Sequence, residues 1–308
     1  MCSHILASIF VTVSIRTCSS PVELGRSLEI YNEVWPQRAV TVEDVVGWKR
    51  AAIASVELLG ALDGVDAGSA AASFEASRTN LVAMLVTVLP EYRRAGVGTA
   101  LVDAVRAWAI EQGAREIETR VEAADGESRG FALRRGFHEH SREDGLELTL
   151  ADVEPASVNP PTGIELVTLA ERPELARGVY DVAAEALADV PGSEDWLPPP
   201  FDQFVAAHLR GLAIFVALAG DEVAGYAKLV ARPDGRTADH GITAVRRDWR
   251  GRGVATMLKR AQIAWAKANG IQRLTASNDE RNAAMQHINS LLGYRLVPGR
   301  VRLRAPVG

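Results

Sequence analysis

Arg250-Gly251-Arg252-Gly253-Val254-Ala255 follows the apolar run Gly241–Val245 and precedes a helical pattern. A strand that ends in Arg-x-x-Gly-x-Gly/Ala and opens a helix places several bare backbone N–H groups at the helix N-terminus. Small residues let an anion approach that backbone, and the helix dipole favours negative charge there. The stretch therefore reads as a pyrophosphate cradle. An earlier copy, Arg93-Arg94-Ala95-Gly96-Val97-Gly98, lies 157 positions upstream.

That offset holds without a gap for about fifty residues. Val88 falls on Val245, Arg93 on Arg250, Gly96 on Gly253, Thr99 on Thr256 and Leu101 on Leu258. Trp108 falls on Trp265, Gly113 on Gly270, Gly136 on Gly293 and Phe137 on Tyr294. The chain is a duplicated domain. The Pro-rich segment Glu154–Gly163 is the expected linker, leaving one half at residues 1–153 and the other at 164–308.

Both halves read in the same order. In the first, strand Ile9–Arg16 precedes helical patterns at Val22–Val34 and Val42–Ile53. Strands follow at Ser55–Ala61, Ala70–Glu75 and Val82–Leu89. After the glycine turn come helix Thr99–Gln112, strand Glu116–Val121, a short helix ending at Gly136 and a strand near Leu146–Leu150. The second half runs from strand Ile164–Leu169 through helix Glu174–Val190, a Pro-rich loop and helix Phe201–Leu209. Strands Ile214–Ala219, Val223–Val230 and Gly241–Val245 lead to helix Thr256–Asn269, strand Arg273–Ser277, helix Arg281–Leu292 and strand Val301–Arg304. Strands and helices mixed in this order predict an α/β (α+β) fold: two tandem domains, each with a mixed, mostly antiparallel sheet flanked by helices.

With 308 residues the chain has room for two cores. A net charge of −5 argues against a nucleic-acid or anionic-membrane partner. Basic residues nevertheless gather at the turns (Arg93, Arg94, Arg246, Arg247, Arg250, Arg252), which suits a small anion. Cys2 and Cys18 make no disulfide framework, so a cytoplasmic location is expected. The uncharged run Ile5–Ile15 is too short to span a bilayer.

Three ligand classes compete for a strand, glycine turn and helix. A Walker-type site needs Gly-Lys-Ser/Thr, which neither copy has. A dinucleotide fold needs a third Gly, replaced here by Leu101 or Thr256, and an acid closing the next strand. Strand Arg273–Ser277 lacks that acid, although Glu122 keeps a dinucleotide-dependent oxidoreductase open as an alternative. The third class is a family that the residues resemble, the GNAT (Gcn5-related N-acetyltransferase) superfamily, with its signature Gln/Arg-x-x-Gly-x-Gly/Ala. Both copies satisfy it, and Gly136-Phe137 and Gly293-Tyr294 match its second marker, a helix ending in Gly-aromatic. The tandem arrangement is similar to that of mycothiol synthase.

The resemblance implies acetyl-CoA as donor and no metal. It implies pyrophosphate contacts from Arg93, Arg94, Gly96 and Gly98, and from Arg250, Gly251, Arg252, Gly253, Val254 and Ala255. Val88, Val245 and Thr243 would lie along the pantetheine arm. Many relatives carry a carboxylate six residues ahead of the strand's last apolar residue. That position is Asp239 in the second half and Val82 in the first. Period-two alternation sets Asp239, Gly241, Thr243 and Val245 on one face. Asp239 is thus the expected general base, with His240 as competitor because its free pKa suits the task. The family's thiolate-protonating Tyr is replaced by Asn289 and Ala132, which leaves the general acid unassigned, with Tyr226 and Tyr294 as substitutes.

Asn278, Asn282 and Asn289 form a polar set in the second half, which the resemblance gives to acetyl-CoA, with Asn282, Met285, Asn289 and Leu292 at helical spacing. The first half has Val121, Asp125, Ser128 and Ala132 there. The second half is therefore the expected catalytic copy. Its acceptor, a small-molecule amine, is expected near Asp189, Glu194, Asp195 and Trp196, where acids beside an aromatic suit a cation. The enzyme would be an acetyl-CoA-dependent N-acetyltransferase, monomeric or homodimeric. The alternative is a non-catalytic acyl-CoA-binding or sensor protein.

Overall fold

The computed structural model describes residues 12–75, 78, 80–153, 157–191, 196–209 and 211–308, apart from the side chains of 50, 51 and 207. The expected strand start near Ile9, Cys2, part of the linker, Glu194 and Asp195 lie outside the described residues.

In the first half, strand β1 (Val13–Thr17) leads to helices α1 (Pro21–Val34) and α2 (Val42–Ala51). Capping boxes start both helices, Ser20 with Glu23 and Thr41 with Asp44. Strands β2 (Ala52–Leu62), β3 (Val65–Glu75) and β4 (Leu81–Val88) form a meander. Helix α3 (Val97–Glu111), strand β5 (Glu116–Glu122), helix α4 (Gly126–Leu133) and strand β6 (His138–Thr149) follow. The second half repeats this as β7 (Glu165–Thr168), α5 (Ala176–Leu187), α6 (Phe201–His208), β8 (Ala213–Ala219), β9 (Glu222–Ala231) and β10 (Thr237–Val245). It closes with α7 (Val254–Ala268), β11 (Arg273–Asp279), α8 (Ala283–Leu291) and β12 (Arg295–Pro306).

The twelve strands form one mixed sheet, ordered β1-β2-β3-β4-β5-β12-β6-β11-β10-β9-β8-β7. Only β4–β5 and β10–β11 run parallel. The halves have exchanged their last strands: β12 lies against β5 of the first half, and β6 against β11 of the second. Where two self-contained sheets are expected from the repeat, the chain builds a single palindromic one.

The cores cross in the same way. Val301, Leu303 and Ala305 of β12 are buried with Val82, Leu101, Val105 and Ile117 of the first half under α3. Leu146, Leu148 and Leu150 of β6 are buried with Leu229, Leu258 and Leu274 of the second half under α7. At about 1.5–3 kcal/mol for a fully buried aliphatic side chain, these residues couple the halves by on the order of 10 kcal/mol. On the opposite face α2 packs against α6, a second contact between the halves.

Candidate active site

Each glycine turn stands where two parallel strands part. β4 pairs with β5 only along Leu81–Ala83, and β10 pairs with β11 only along Thr237–Asp239. Beyond those residues the strands diverge, and the turn closes the wide end. Gly96 and Gly253 are the N-caps of α3 and α7, with φ of 94° and 85°. Only glycine holds that left-handed conformation cheaply. Neither cap supplies a side-chain acceptor, so the first N–H groups of both helices point at whatever lies ahead of them. The arginine opening each motif braces the strand end: Arg93 Nε donates to the Val88 carbonyl at 3.3 Å, and Arg250 Nε to the Val245 carbonyl at 2.9 Å.

The first turn borders a cleft of about 400 Å³ between β4 and β5. Met84, Val86, Val88, Val102, Phe131 and Phe137 make its floor apolar, and Arg93, Arg94, Arg134 and Arg135 make its rim basic. Gly98 lets the wall come close, since a Cβ there would lie 3.3–3.4 Å from Phe131 and 3.4 Å from Val88. Arg94 holds φ of 67° where the second copy has Gly251 at 73°. A side chain in that conformation costs roughly 1–2 kcal/mol. Arg135 stacks on Phe131 at 3.6 Å, donates to the Phe131 carbonyl at 3.1 Å and donates to the Thr99 hydroxyl in the first turn of α3. Burial, then the neighbouring Arg134, pushes its pKa down. An incoming anion would relieve that crowding of charge.

The second turn is closed by the protein's own acids. Asp189, just beyond α5, takes Arg247 at 2.8 and 3.0 Å and Arg250 at 2.8 Å. Glu185 accepts the Arg247 backbone N–H at 2.6 Å. Hydrogen bonds from Arg247, then Arg250, hold the Asp189 carboxyl down at about 2. Arg252 lies over the Trp249 ring at 4.7 Å. The cations expected to meet a pyrophosphate there are already engaged. Asp189, expected beside the acceptor, is part of this closure, and Trp196 stacks on Arg78 at 3.8 Å.

The expected catalytic pair needs correction. β10 carries a bulge between His240 and Thr243, opposite Leu229 and Ala227 of β9. The extra residue breaks the alternation. His240, Thr243 and Val245 face α7, while Asp239 and Ala244 face the other way. Asp239 is bound by Arg232 at 2.6 and 2.9 Å and accepts from the Thr275 hydroxyl. His240 is no free base. It is buried, its Nδ1 bonds Gln262 Oε1 at 2.9 Å, and its Nε2 bonds the Tyr294 hydroxyl. Burial, then the nearby Lys259, drives its pKa far below the ordinary histidine value.

Tyr226 and Tyr294 are core aromatics whose pKa values burial raises. Asn282 is the N-cap of α8, accepting the Met285 N–H at 3.2 Å, as Asp125 caps α4. Asn289 is wholly buried, and neither polar atom of its amide has a partner in the described structure. Asn278 likewise leaves its Nδ2 unpartnered.

Sequence reasoning missed the residues that separate the two clefts. Arg134 and Arg135 stand where the second half has Leu291 and Leu292. Val102, Val105 and Phe137 stand where it has Lys259, Gln262 and Tyr294. The alignment at the 157-residue offset already carried both contrasts. Lys259 is 2% exposed, lies 5.3 Å from the Tyr294 ring, and has a pKa lowered by burial to about 7.

Residues 27–137 and 179–294 both match the acetyltransferase (GNAT) family. The chain belongs to that family and carries its domain twice. Solved structures of the same fold include a GCN5-related N-acetyltransferase from Sphaerobacter thermophilus, 19% identical with a TM-score of 0.71, covering 96% of each chain. A tandem GNAT protein from the clavulanic acid biosynthesis pathway is 20% identical with a TM-score of 0.78, covering 96% of this chain and 99% of that one. A glucosamine N-acetyltransferase region of a fungal multi-domain GH3 β-N-acetylglucosaminidase is 17% identical with a TM-score of 0.72, covering 96% of this chain and 38% of that one. No curated protein matches in sequence. Among the described residues no cluster of His, Cys, Asp or Glu could hold a metal, and no helix is long and apolar enough to cross a membrane.

Proposed function

We propose that the protein is an acetyl-CoA-dependent N-acetyltransferase acting on a small-molecule amine, and that the working donor site is in the first half, where the sequence gives donor contacts to both turns but the chemistry to the second. The observation that carries this is the contrast between the turns. The first opens onto a basic-rimmed cleft, whereas Asp189 and Glu185 neutralise the second. The free N–H groups of α3, with Arg94 and Arg135, suit a pyrophosphate. The apolar floor between β4 and β5 suits a pantetheine arm, and the donor supplies the activated thioester.

The chain's task is to hold an amine against that thioester with its lone pair free. The amine nitrogen bonds to the acetyl carbon, the carbon–sulfur bond breaks with its electron pair leaving on the CoA thiolate, which takes up a proton from solvent, and the amine gives up a proton. Of the carboxylates lining the cleft, Asp125 caps α4 and Glu127 pairs with Arg93 at 3.7 Å. We assign that proton to Glu122, which lines the cleft and is held by Arg38 at 2.7 Å.

Thiol release from acetyl-CoA with a panel of amines tests the reading, wild type against Gly98→Glu. Turnover lost in the variant supports it. A second reading, an acyl-CoA-binding module, draws on Ala132 and Asn289 at the family's Tyr position. Tight CoA binding without thiol release from any amine would favour it.

A further inference from the structure

On the side turned away from α3 the first cleft is lined by Tyr31, Arg38, Arg120 and Glu122, and on the proposed function this is the side left for the acceptor. Its chemistry is set by the exchanged strand. β12 pairs with β5 so that Arg300 lies opposite Glu122, Arg302 opposite Arg120 and Arg304 opposite Glu118, all on the face turned away from α3. The local acids are largely spent. Glu118 takes Arg78 at 3.1 Å and Arg304 at 3.0 Å. Glu143 takes Arg302 at 2.5 and 2.8 Å. Asp279 is held by Arg281 at 2.8 and 2.9 Å, and Asp239 by Arg232.

What remains is Arg120. Its side chain makes no hydrogen bond among the described residues, and its nearest carboxylate there is the already occupied Glu143, at 4.0 Å. Arg300 also reaches only Glu143, at 3.7 Å. Among the described residues, Arg38, Arg120, Arg300 and Arg302 thus face two carboxylates, Glu122 and Glu143, a surplus of two positive charges. The Arg120 side chain is 38% exposed, and the residue lines the cleft. Arg302 and Arg78 lie under Trp196 and serve the fold; Arg120 has no such cover. A planar guanidinium with spare donors in a half-enclosed site binds an oxyanion in preference to a cation.

We propose that the acetyl acceptor is an amine that also carries an oxyanion, a carboxylate or a phosphate, and that Arg120 receives it with Arg300 of the exchanged strand alongside. The second half then has a function without its own donor site, because β12 brings cations to the first half's acceptor. This rests on the assignment of the donor to the first cleft.

The test uses amines matched in sets: a carboxylate, its carboxamide and a phosphate analogue. Each is measured for acetyl-CoA-dependent turnover and for calorimetric binding to the CoA-saturated protein, with wild type, Arg120→Gln and Arg120→Lys. The oxyanion-bearing member is expected to be preferred over its carboxamide. Arg120→Gln should lose roughly 10- to 100-fold in its binding or KM, with the carboxamide and acetyl-CoA affinities little changed. Arg120→Lys should recover part of the loss. The carboxylate and phosphate arms show which oxyanion fits. Equal or better use of the carboxamide, or no binding of either oxyanion at millimolar concentration while acetyl-CoA binds normally, would overturn the proposal. Retention of acetyl-CoA by Gly98→Glu would instead overturn the cleft assignment beneath it.

Discussion

The two glycine turns share a left-handed glycine N-cap, a bracing arginine and a pair of parting strands, yet they differ as sites. Before the first stand Arg94, Arg134 and Arg135; against the second stand Asp189 and Glu185. Beneath the first lie Val102, Val105 and Phe137; beneath the second lie Lys259, Gln262 and Tyr294 around His240. The signature motif therefore reports the backbone conformation of the turn. Whether the turn holds an anion depends on what other elements bring to it.

As folding units the halves are not separable, and this gives the largest expected effect. Residues 1–153 expressed alone lack β12 and carry a β6 with no second core to enter. That fragment should fail to fold cooperatively, and co-expression with residues 157–308 should restore the fold. Cooperative thermal unfolding of residues 1–153 alone would contradict the shared core.

The sites separate more finely. Gly98→Glu puts a carboxylate in the open cradle and should lower turnover by at least about 100-fold, about 2.7 kcal/mol. Ala255→Glu at the matching position of the closed turn should leave turnover within about twofold, with circular dichroism confirming that both variants fold. Comparable losses from the two substitutions would erase the distinction.

Lys259 tests the buried polar set. Its folded pKa of about 7 lies below the ordinary 10.5, so between those values the unfolded chain binds more protons than the folded one. Stability should therefore rise with pH from about 7 upward, and the full penalty should apply below 7. Lys259→Met, which resembles Val102 of the first half, should stabilise the protein at pH 7 by about 2–3 kcal/mol. It should also remove its share of the upward slope. Urea midpoints between pH 7 and 9.5, wild type minus variant, give the comparison.

The smallest effect concerns the closure itself. Asp189→Ala releases Arg247 and Arg250, and a second, weaker acetyl-CoA should then bind per chain. Calorimetric stoichiometry unchanged from wild type would show that more than Asp189 keeps the second turn shut.

The duplication, the glycine turns and most elements were legible because local pattern determines them. Three features were not. The apolar alternation of Leu146–Leu148–Leu150 and Val301–Leu303–Ala305 fits either core, so strand exchange is invisible without the pairing. The bulge in β10 reverses the faces of Asp239 and Thr243, and Gly241 within the strand was its only mark. Asp189 meets Arg247 across 58 positions, and Asp239 meets Arg232 across the turn between β9 and β10, so each carboxylate looked available until its partner was placed. The contrast of Arg134 and Arg135 with Leu291 and Leu292 was on the page and pointed to the first half.

The most direct measurement is a crystal structure of the full chain grown with acetyl-CoA. The donor should lie between β4 and β5 with its pyrophosphate on the N-terminus of α3, and Asp189 should still be paired with Arg247 and Arg250. A donor seated at α7 with Asp189 displaced, and none in the first cleft, would contradict the account.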